Sequence, residues 1–371
     1  MHRIFETTHL GGIEVRNRLV RSATWDGMAD AQGRVTDRMI DLYRGVAEGG
    51  VGVVISGYAF VRPEGRQWET QLGAHDDDAI PGLAELAGTV RGRGGRIVGQ
   101  IVHCGGQARR EATFGLGATA PSAVESPGYP ETPRELRAEE IDGIAASFAA
   151  AASRMRRAGF DGVQLHGAHG YLISEFLTPW RNARTDAYGG NLENRMRFAL
   201  EVYRAVRCEV GDDFPVWIKL NGEDFVEGGA TLDDATALVA MLVGEGIDAI
   251  EVSGGTGGSG KLGAARTDIA APADEAYFFA HARALRPAAK GAAVITVGGL
   301  RSPERIEAIL AEGAADACAL CRPLIREPDL PERWRRGDRR RSACVSCRGC
   351  FTPAMKGSGV RCVRKGEGGE T

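Results

Sequence analysis

The stretch LHGAHGYLISEFLTP, from Leu165 to Pro179, places His166, His169 and Tyr171 within six residues. Two histidines three apart serve as half of a metal site, as packed core residues, or as donors aimed at a substrate oxygen. A catalytic zinc needs a further protein ligand. Glu175 nearby and His103 at the end of another apolar run are the candidates. The pattern HxxHxY followed by EFLTP is not a metal-ligand spacing, so metal is the weaker reading. Both histidines follow an apolar run in a glycine-rich loop, which argues against core filler for the pair. Two imidazoles converging on one oxygen would instead form an electrophilic clamp. Tyr171 would then deliver a proton.

A second set of polar residues ends other apolar runs: Thr24, Gln100, Lys219, Ser253, Gly298 with Gly299, and Arg322. Thr24 and Ser253 also read as helix caps, and Gln100 as a partner for a buried backbone group. Lys219 is harder to set aside, because a lysine ending an apolar strand must meet an anion or reach water. Gly298, Gly299 and Arg322 lie on the last two runs, where loop amides and a cation bind phosphate in barrel folds. A third set crowds the C-terminus. CVSCRGCFTPAMKGSGVRC spaces Cys344, Cys347, Cys350 and Cys362 as C-x2-C-x2-C-x11-C. That density points to a metal or cluster rather than to disulfides.

These residues need a scaffold, and the glycines outline it. AEGGVGVVIS, RGRGGRIVGQIV, RRAGFDGVQLH, VGEGIDAIEVS and AEGAADACALC each join a helix end, a glycine and an apolar β-rich run. Glycine past a helix accepts the left-handed conformation that stops it. Nearly all-apolar runs suit parallel strands covered on both faces. The runs lie at 17–24, 51–56, 96–102, 162–166, 215–220, 249–253, 293–297 and 317–321. Eight β/α units predict an α/β fold of the TIM (β/α)8 barrel type. A doubly wound sheet would place GxGxxG after the first strand, and none follows NRLVRSAT. Extra length falls in an N-terminal hairpin closing the barrel bottom, an insertion after strand 3 (Cys104 to Pro133) that reads as a lid or capping subdomain, and the tail beyond Pro328. Residues 1–335 are expected to form the barrel and 336–371 a Cys-rich tail.

Composition narrows the class. A net charge of −3 gives no global pull towards nucleic acid or anionic membrane. The basic run RWRRGDRRR, Arg333 to Arg341, lacks interleaved aromatics for base stacking and reads as a solvated helix end or linker, or a subunit contact. No apolar run has the length of a membrane span, and MHRIFETTHLGG has no signal-peptide core. A cytoplasmic protein is expected. Cys104, Cys208, Cys318 and Cys321 are scattered, as reduced thiols would be.

The segments VRNRLVRSAT, VISGYAFVRPEGR, GQIVHCGGQA, HGAHGYLISEFLTPWRNARTDAYGGNLENRMRF and ALCRPLIREPDL fall in the order of one family over roughly residues 3 to 330. On these motifs the chain resembles the old yellow enzymes, FMN-dependent ene-reductases and related NADH:flavin oxidoreductases. The resemblance implies FMN against the backbone of Ser22, Ala23, Thr24 and Tyr58. Gln100 then meets the flavin pyrimidine edge and Lys219 the N1 and O2 region, where a cation stabilises the reduced anion. Gly298, Gly299, Cys321 and Arg322 match the phosphate turns, with Cys321 where glycine is usual. His166 and His169 match the pair that grips a substrate carbonyl, and Tyr171 the proton donor. Trp25 stands where relatives carry a small residue near flavin O4; it either narrows the substrate pocket or points away and leaves that role to Thr24.

The implied reaction is reduction of an activated C=C bond of an α,β-unsaturated carbonyl compound with NAD(P)H. The tail resembles the iron–sulfur segment of dienoyl-CoA reductase and trimethylamine dehydrogenase, with one residue fewer between the second and third cysteines. A [4Fe–4S] cluster, a structural zinc and an unliganded tail all stay open at this point. With a cluster, the alternative is the catalytic barrel of a dienoyl-CoA reductase or amine-demethylase type system, working with a separate electron-transfer protein. Oligomeric state is left open.

Overall fold

The computed structural model describes residues 3–267 and 269–364. Eight parallel strands close a barrel: β1 (Leu19–Arg21), β2 (Val53–Ile55), β3 (Arg96–Val102), β4 (Gly162–Gly167), β5 (Val216–Asn221), β6 (Ala249–Ser253), β7 (Ala293–Val297) and β8 (Ala317–Leu320). Each pairs with the next, and β8 returns to β1 through Ala319 against Val20. All eight expected runs form strands, and the fold is the TIM barrel the periodicity predicts.

Helices α1 (Asp37–Glu48), α2 (Ile80–Arg91), α3 (Ala138–Arg157), α4 (Leu192–Val210), α5 (Leu232–Gly244), α6 (Phe279–Leu285) and α7 (Pro303–Glu312) follow the first seven strands. Gly159 and Gly313 leave their helices at φ of 82° and 76°, a region costly for a residue with a Cβ. The helices bury an apolar stripe against the outside of the barrel, which forms the larger core. A second core fills the barrel's lower interior, where Val98, Trp217, Ala249, Ile295 and Ala317 are buried together. The hairpin Thr8–Leu10 with Ile13–Val15 closes this end, where the Trp217 indole N–H donates to the Gly11 carbonyl at 2.8 Å.

The insertion after β3 holds a short parallel pair, Thr119–Ala120 with Arg134–Glu135. Much of the PWRNARTDAYGG segment anchors it. Arg181 donates to Ser126 Oγ at 2.7 Å, and Arg184 donates to the Pro121 carbonyl at 3.0 Å. The Cys-rich tail folds back over the mouth at the strands' C-terminal ends. Ser342 N–H donates to Arg301 O at 2.9 Å, Arg322 Nη1 donates to Ser346 O at 2.8 Å, and Val360 N–H donates to Asp26 O at 2.8 Å. Ala354 and Val360 are buried in one cluster with Trp25, Tyr58 and Tyr171.

Every arginine of the basic run meets a carboxylate of this chain. Arg333 pairs with Glu327 and Asp338, Arg335 and Arg336 with Glu332, Arg339 with Glu304, Arg340 with Asp338, and Arg341 with Glu275. The run is therefore neutralised locally. No helix among the described residues is long and apolar enough to cross a membrane.

Candidate active site

A cavity of about 850 Å³ opens at the C-terminal mouth of the barrel. Strand alternation explains its floor. Because alternate residues face inward, Gln100 on β3, Gln164 and His166 on β4, Lys219 on β5 and Glu251 with Ser253 on β6 share the interior with the residue after β1, Ser22. Register sets Gln100 beside Gln164, Lys219 beside His166 and Lys219 beside Glu251.

Ser22, Ala23, Thr24, Trp25, Tyr58, His166, His169, Tyr171, Lys219, Gly299, Cys321 and Arg322 all line the cavity. Gly298 lies behind Gly299 with a φ of 131°, packed on Tyr277. Gln100 is fully buried beneath the floor, and its Oε1 has no hydrogen-bond partner among the described residues. Arg322 uses Nη1 on the carbonyls of Arg266 and Ser346, both at 2.8 Å.

The two imidazoles stand nearly perpendicular, with ring centroids 5.1 Å apart. Burial, then His169 and the Lys219 charge, lowers the His166 pKa well below its usual value. Burial first, then Lys219, pulls His169 down to about 3. Both rings are therefore neutral at physiological pH. His166 Nδ1 accepts the Ala168 N–H at 3.3 Å, which leaves the proton on Nε2. His169 Nε2 meets Ser253 Oγ at 2.8 Å; with the serine donating, the free proton is on Nδ1. Its backbone, at φ 62°, is held by Asn221 Oδ1 accepting the His169 N–H at 3.1 Å.

Tyr171 packs edge-on against His166 at 4.6 Å. Burial, with Cys104 and Tyr129 adding to it, raises its pKa well above the ordinary phenol value, so it stays protonated. Gln67 Oε1 accepts from Tyr58 OH at 2.7 Å and from Tyr171 OH at 3.1 Å, while Gln67 Nε2 donates to Tyr129 OH. Trp25 faces the cavity rather than away from it. It stacks on Trp68 at 4.6 Å and 17°, and Arg109 lies over Trp68 at 4.3 Å.

The metal reading of the histidines finds no third ligand. His103 is buried and uses Nδ1 to accept the Gly105 N–H, and Glu175 is taken by the Gly106 N–H at 3.0 Å and by Arg181 at 3.4 Å. Among the described residues no group of three or more His, Cys, Asp or Glu side chains is placed to hold a metal ion. Cys344, Cys347, Cys350 and Cys362 nevertheless line one small cavity, and Cys347, Arg322 and Arg348 line both this and the large one.

Sequence reasoning missed Glu251, Gln164, Gln67, Trp68, Tyr129 and the tail residues Arg348, Phe351 and Met355. The first two carried a readable signal, since a polar side chain inside an apolar strand needs a partner. The others come from loops whose approach to the mouth depends on tertiary folding.

Residues 3–340 match the model of the NADH:flavin oxidoreductase / NADH oxidase family. The chain is 37% identical over 94% of its length to an NADH oxidase of Thermoanaerobacter brockii, of which it spans 53%. It is 36% identical over 86% of its length to an NADPH dehydrogenase of Geobacillus thermodenitrificans, of which it spans 90%. A solved 2-naphthoyl-CoA reductase complex with 2-naphthoyl-CoA superposes with a TM-score of 0.91 at 31% identity, over 98% of this chain and 57% of that one. The chain thus spans about half the length of several relatives and nearly all of others. With a closed barrel, a polar floor and a matching sequence over its whole barrel, this chain belongs to the NADH:flavin oxidoreductase / NADH oxidase family.

Proposed function

We propose that this barrel holds FMN and reduces the activated C=C bond of α,β-unsaturated carbonyl compounds with NAD(P)H. The observation that carries the proposal is the convergence of two neutral imidazoles, a protonated phenol and Lys219 on one cavity. The residues fit the cofactor. The unpartnered Gln100 Oε1 suits an N–H donor such as the flavin pyrimidine edge carries. Lys219 Nζ lies beside the same layer, and Gly299 with Arg322 supplies close backbone approach and a cation for a phosphate. Held by these residues, FMN would supply hydride-transfer chemistry between NAD(P)H and the substrate.

The side chains do the rest. His166 Nε2–H and the proton of His169 converge on the substrate carbonyl oxygen. Both stay neutral, so they donate without losing a proton as enolate-like charge develops there. Tyr171, whose O–H donates to Gln67 Oε1 at 3.1 Å, delivers its proton to the α-carbon by turning the hydroxyl from Gln67 towards the substrate. Trp25 and Trp68 present flat apolar surface to an unsaturated substrate and exclude water from it. Anaerobic mixing of the purified flavoprotein with NADH or NADPH, then with a cyclic enone, tests the assignment. Flavin bleaching followed by enone-dependent recovery supports it, and failure to bind FMN or to bleach rules it out.

A second reading is supported by the cysteine pocket beside the large cavity. Cys344, Cys347, Cys350 and Cys362 would hold a [4Fe–4S] cluster or a zinc, drawn together on ligation, and a cluster would exchange electrons with a separate partner or domain. The barrel would then serve a dienoyl-CoA reductase or amine-demethylase type system. Iron, sulfide and zinc analysis of anaerobically purified protein distinguishes the cases.

A further inference from the structure

Beneath the cavity floor a carboxylate that the proposed reaction does not use terminates a chain of buried groups. Glu251 is fully buried on β6. Its Oε1 accepts from Ser22 Oγ at 2.6 Å and from Lys219 Nζ at 3.0 Å, while Lys219 also donates to Ser22 Oγ at 2.8 Å. Its Oε2 accepts from Gln164 Nε2 at 3.0 Å, and Gln164 Oε1 accepts from Gln100 Nε2 at 2.7 Å. Gln164 and Gln100 are fully buried, and Gln100 Oε1 ends the chain without a partner.

The direction of this chain follows from its one obligate acceptor. An ionised carboxylate only accepts, so Gln164 must turn its NH₂ towards Glu251 and its carbonyl towards Gln100. Gln100 must then donate its own NH₂ backwards, which leaves its carbonyl as the free end. At the other branch the same carboxylate neutralises Lys219, whose side chain borders the cavity. A buried pair of this kind sets the local field far more than a surface pair does.

We infer that Glu251 is a positioning residue for the flavin. It fixes Gln100 as an acceptor for an N–H on the heterocycle edge and attenuates the positive charge that Lys219 presents to that edge. This rests on the FMN reading proposed above. Removing Glu251's charge therefore strengthens the field that favours negative charge on the flavin, and removing Lys219's charge does the opposite.

Sulfite titration of the oxidised holoprotein reads this field directly. Sulfite donates its lone pair to flavin N5, and the displaced electron pair becomes negative charge over the N1 and O2 edge. Glu251→Gln is expected to tighten sulfite binding roughly tenfold and to move the flavin midpoint potential upward, while Lys219→Met weakens sulfite binding by a similar factor. A purely structural role predicts weaker sulfite binding in both. Unchanged or weaker binding in Glu251→Gln therefore overturns the inference. If that variant is recovered unfolded, the comparison of Lys219→Met with Lys219→Met/Glu251→Gln decides. The double variant must bind sulfite more tightly than Lys219→Met alone, and equal affinities overturn the inference. A wild-type protein that binds no FMN removes the functional proposal as well, whereas normal FMN binding without the sulfite response removes only the role of Glu251.

Discussion

Truncating either imidazole to alanine should separate the two half-reactions. His166 is 3% exposed and already borders the cavity, so His166→Ala enlarges an existing space rather than opening a new one in the core. Its Nε2–H is directed by the Ala168 N–H to Nδ1 bond. Loss of one preorganised donor at a developing oxyanion costs about 10²–10³ in rate, or roughly 3–4 kcal/mol. Stopped-flow mixing of reduced enzyme with a cyclic enone should therefore show flavin reoxidation slowed by that factor in His166→Ala and in His169→Ala. Reduction by NAD(P)H should change far less, because no oxyanion forms in that step. The double variant should lose less than the product of the single losses, since both donors serve one oxygen. With His169 held down to about 3 and His166 lowered by burial, the wild-type reoxidation rate should be flat from about pH 5 to 8. Losses below about threefold, under 1 kcal/mol, or a break in the pH profile near 6.5, would refute the neutral clamp.

Other consequences are equally open to measurement. Burial, opposed by Arg181 and Gly106, raises the Glu175 carboxyl from 4.5 to about 7. The folded state then binds the extra proton, so this group's stabilisation is full below about pH 4.5 and is lost as pH rises through 7, by about 3 kcal/mol. Glu175→Gln should flatten denaturant stability over that window, and an unchanged slope would count against the burial argument. Trp25→Ala removes a stacked pair worth about 0.5–1.5 kcal/mol and should raise the KM for flat aromatic enones while admitting bulkier ones. An unchanged substrate range would show that Trp25 does not shape the pocket. A Cβ on Gly49 would lie 1.8 Å from the Pro328 carbonyl oxygen, so Gly49→Ala should destabilise by about 1–3 kcal/mol without changing FMN affinity. Thermal melts of the holoprotein check this.

Much of this molecule was legible because its constraints are local. Strand-covering helices, glycine stops such as Gly159 and Gly313, and eight apolar runs fix a barrel without long-range information. The mouth residues were readable for the same reason, since strand ends in a barrel converge by geometry. Gln100 shows the limit. Its strand position was clear, but only the register with Gln164 reveals that it lies under the floor with a directed amide. Trp25 shows another. Its direction depends on Trp68, which arrives from a different loop. The PWRNARTDAYGG segment is part of the block that carried the family resemblance, yet Arg181 and Arg184 spend their hydrogen bonds on holding the insertion rather than on chemistry. The tail's place over the mouth depends on Arg301 and Arg322 reaching its carbonyls, which no spacing rule foretells.

The most direct test of the central claim is anaerobic titration of the FMN-loaded protein with a para-substituted phenol. A phenolate is flat and carries its charge where an enolate oxygen would, so it should rest on the flavin with its oxygen between His166 and His169. The account predicts a long-wavelength charge-transfer band that saturates at one phenol per flavin and weakens at least tenfold in affinity in His166→Ala or His169→Ala. A band of unchanged affinity in both variants, or none in the wild type, would contradict it.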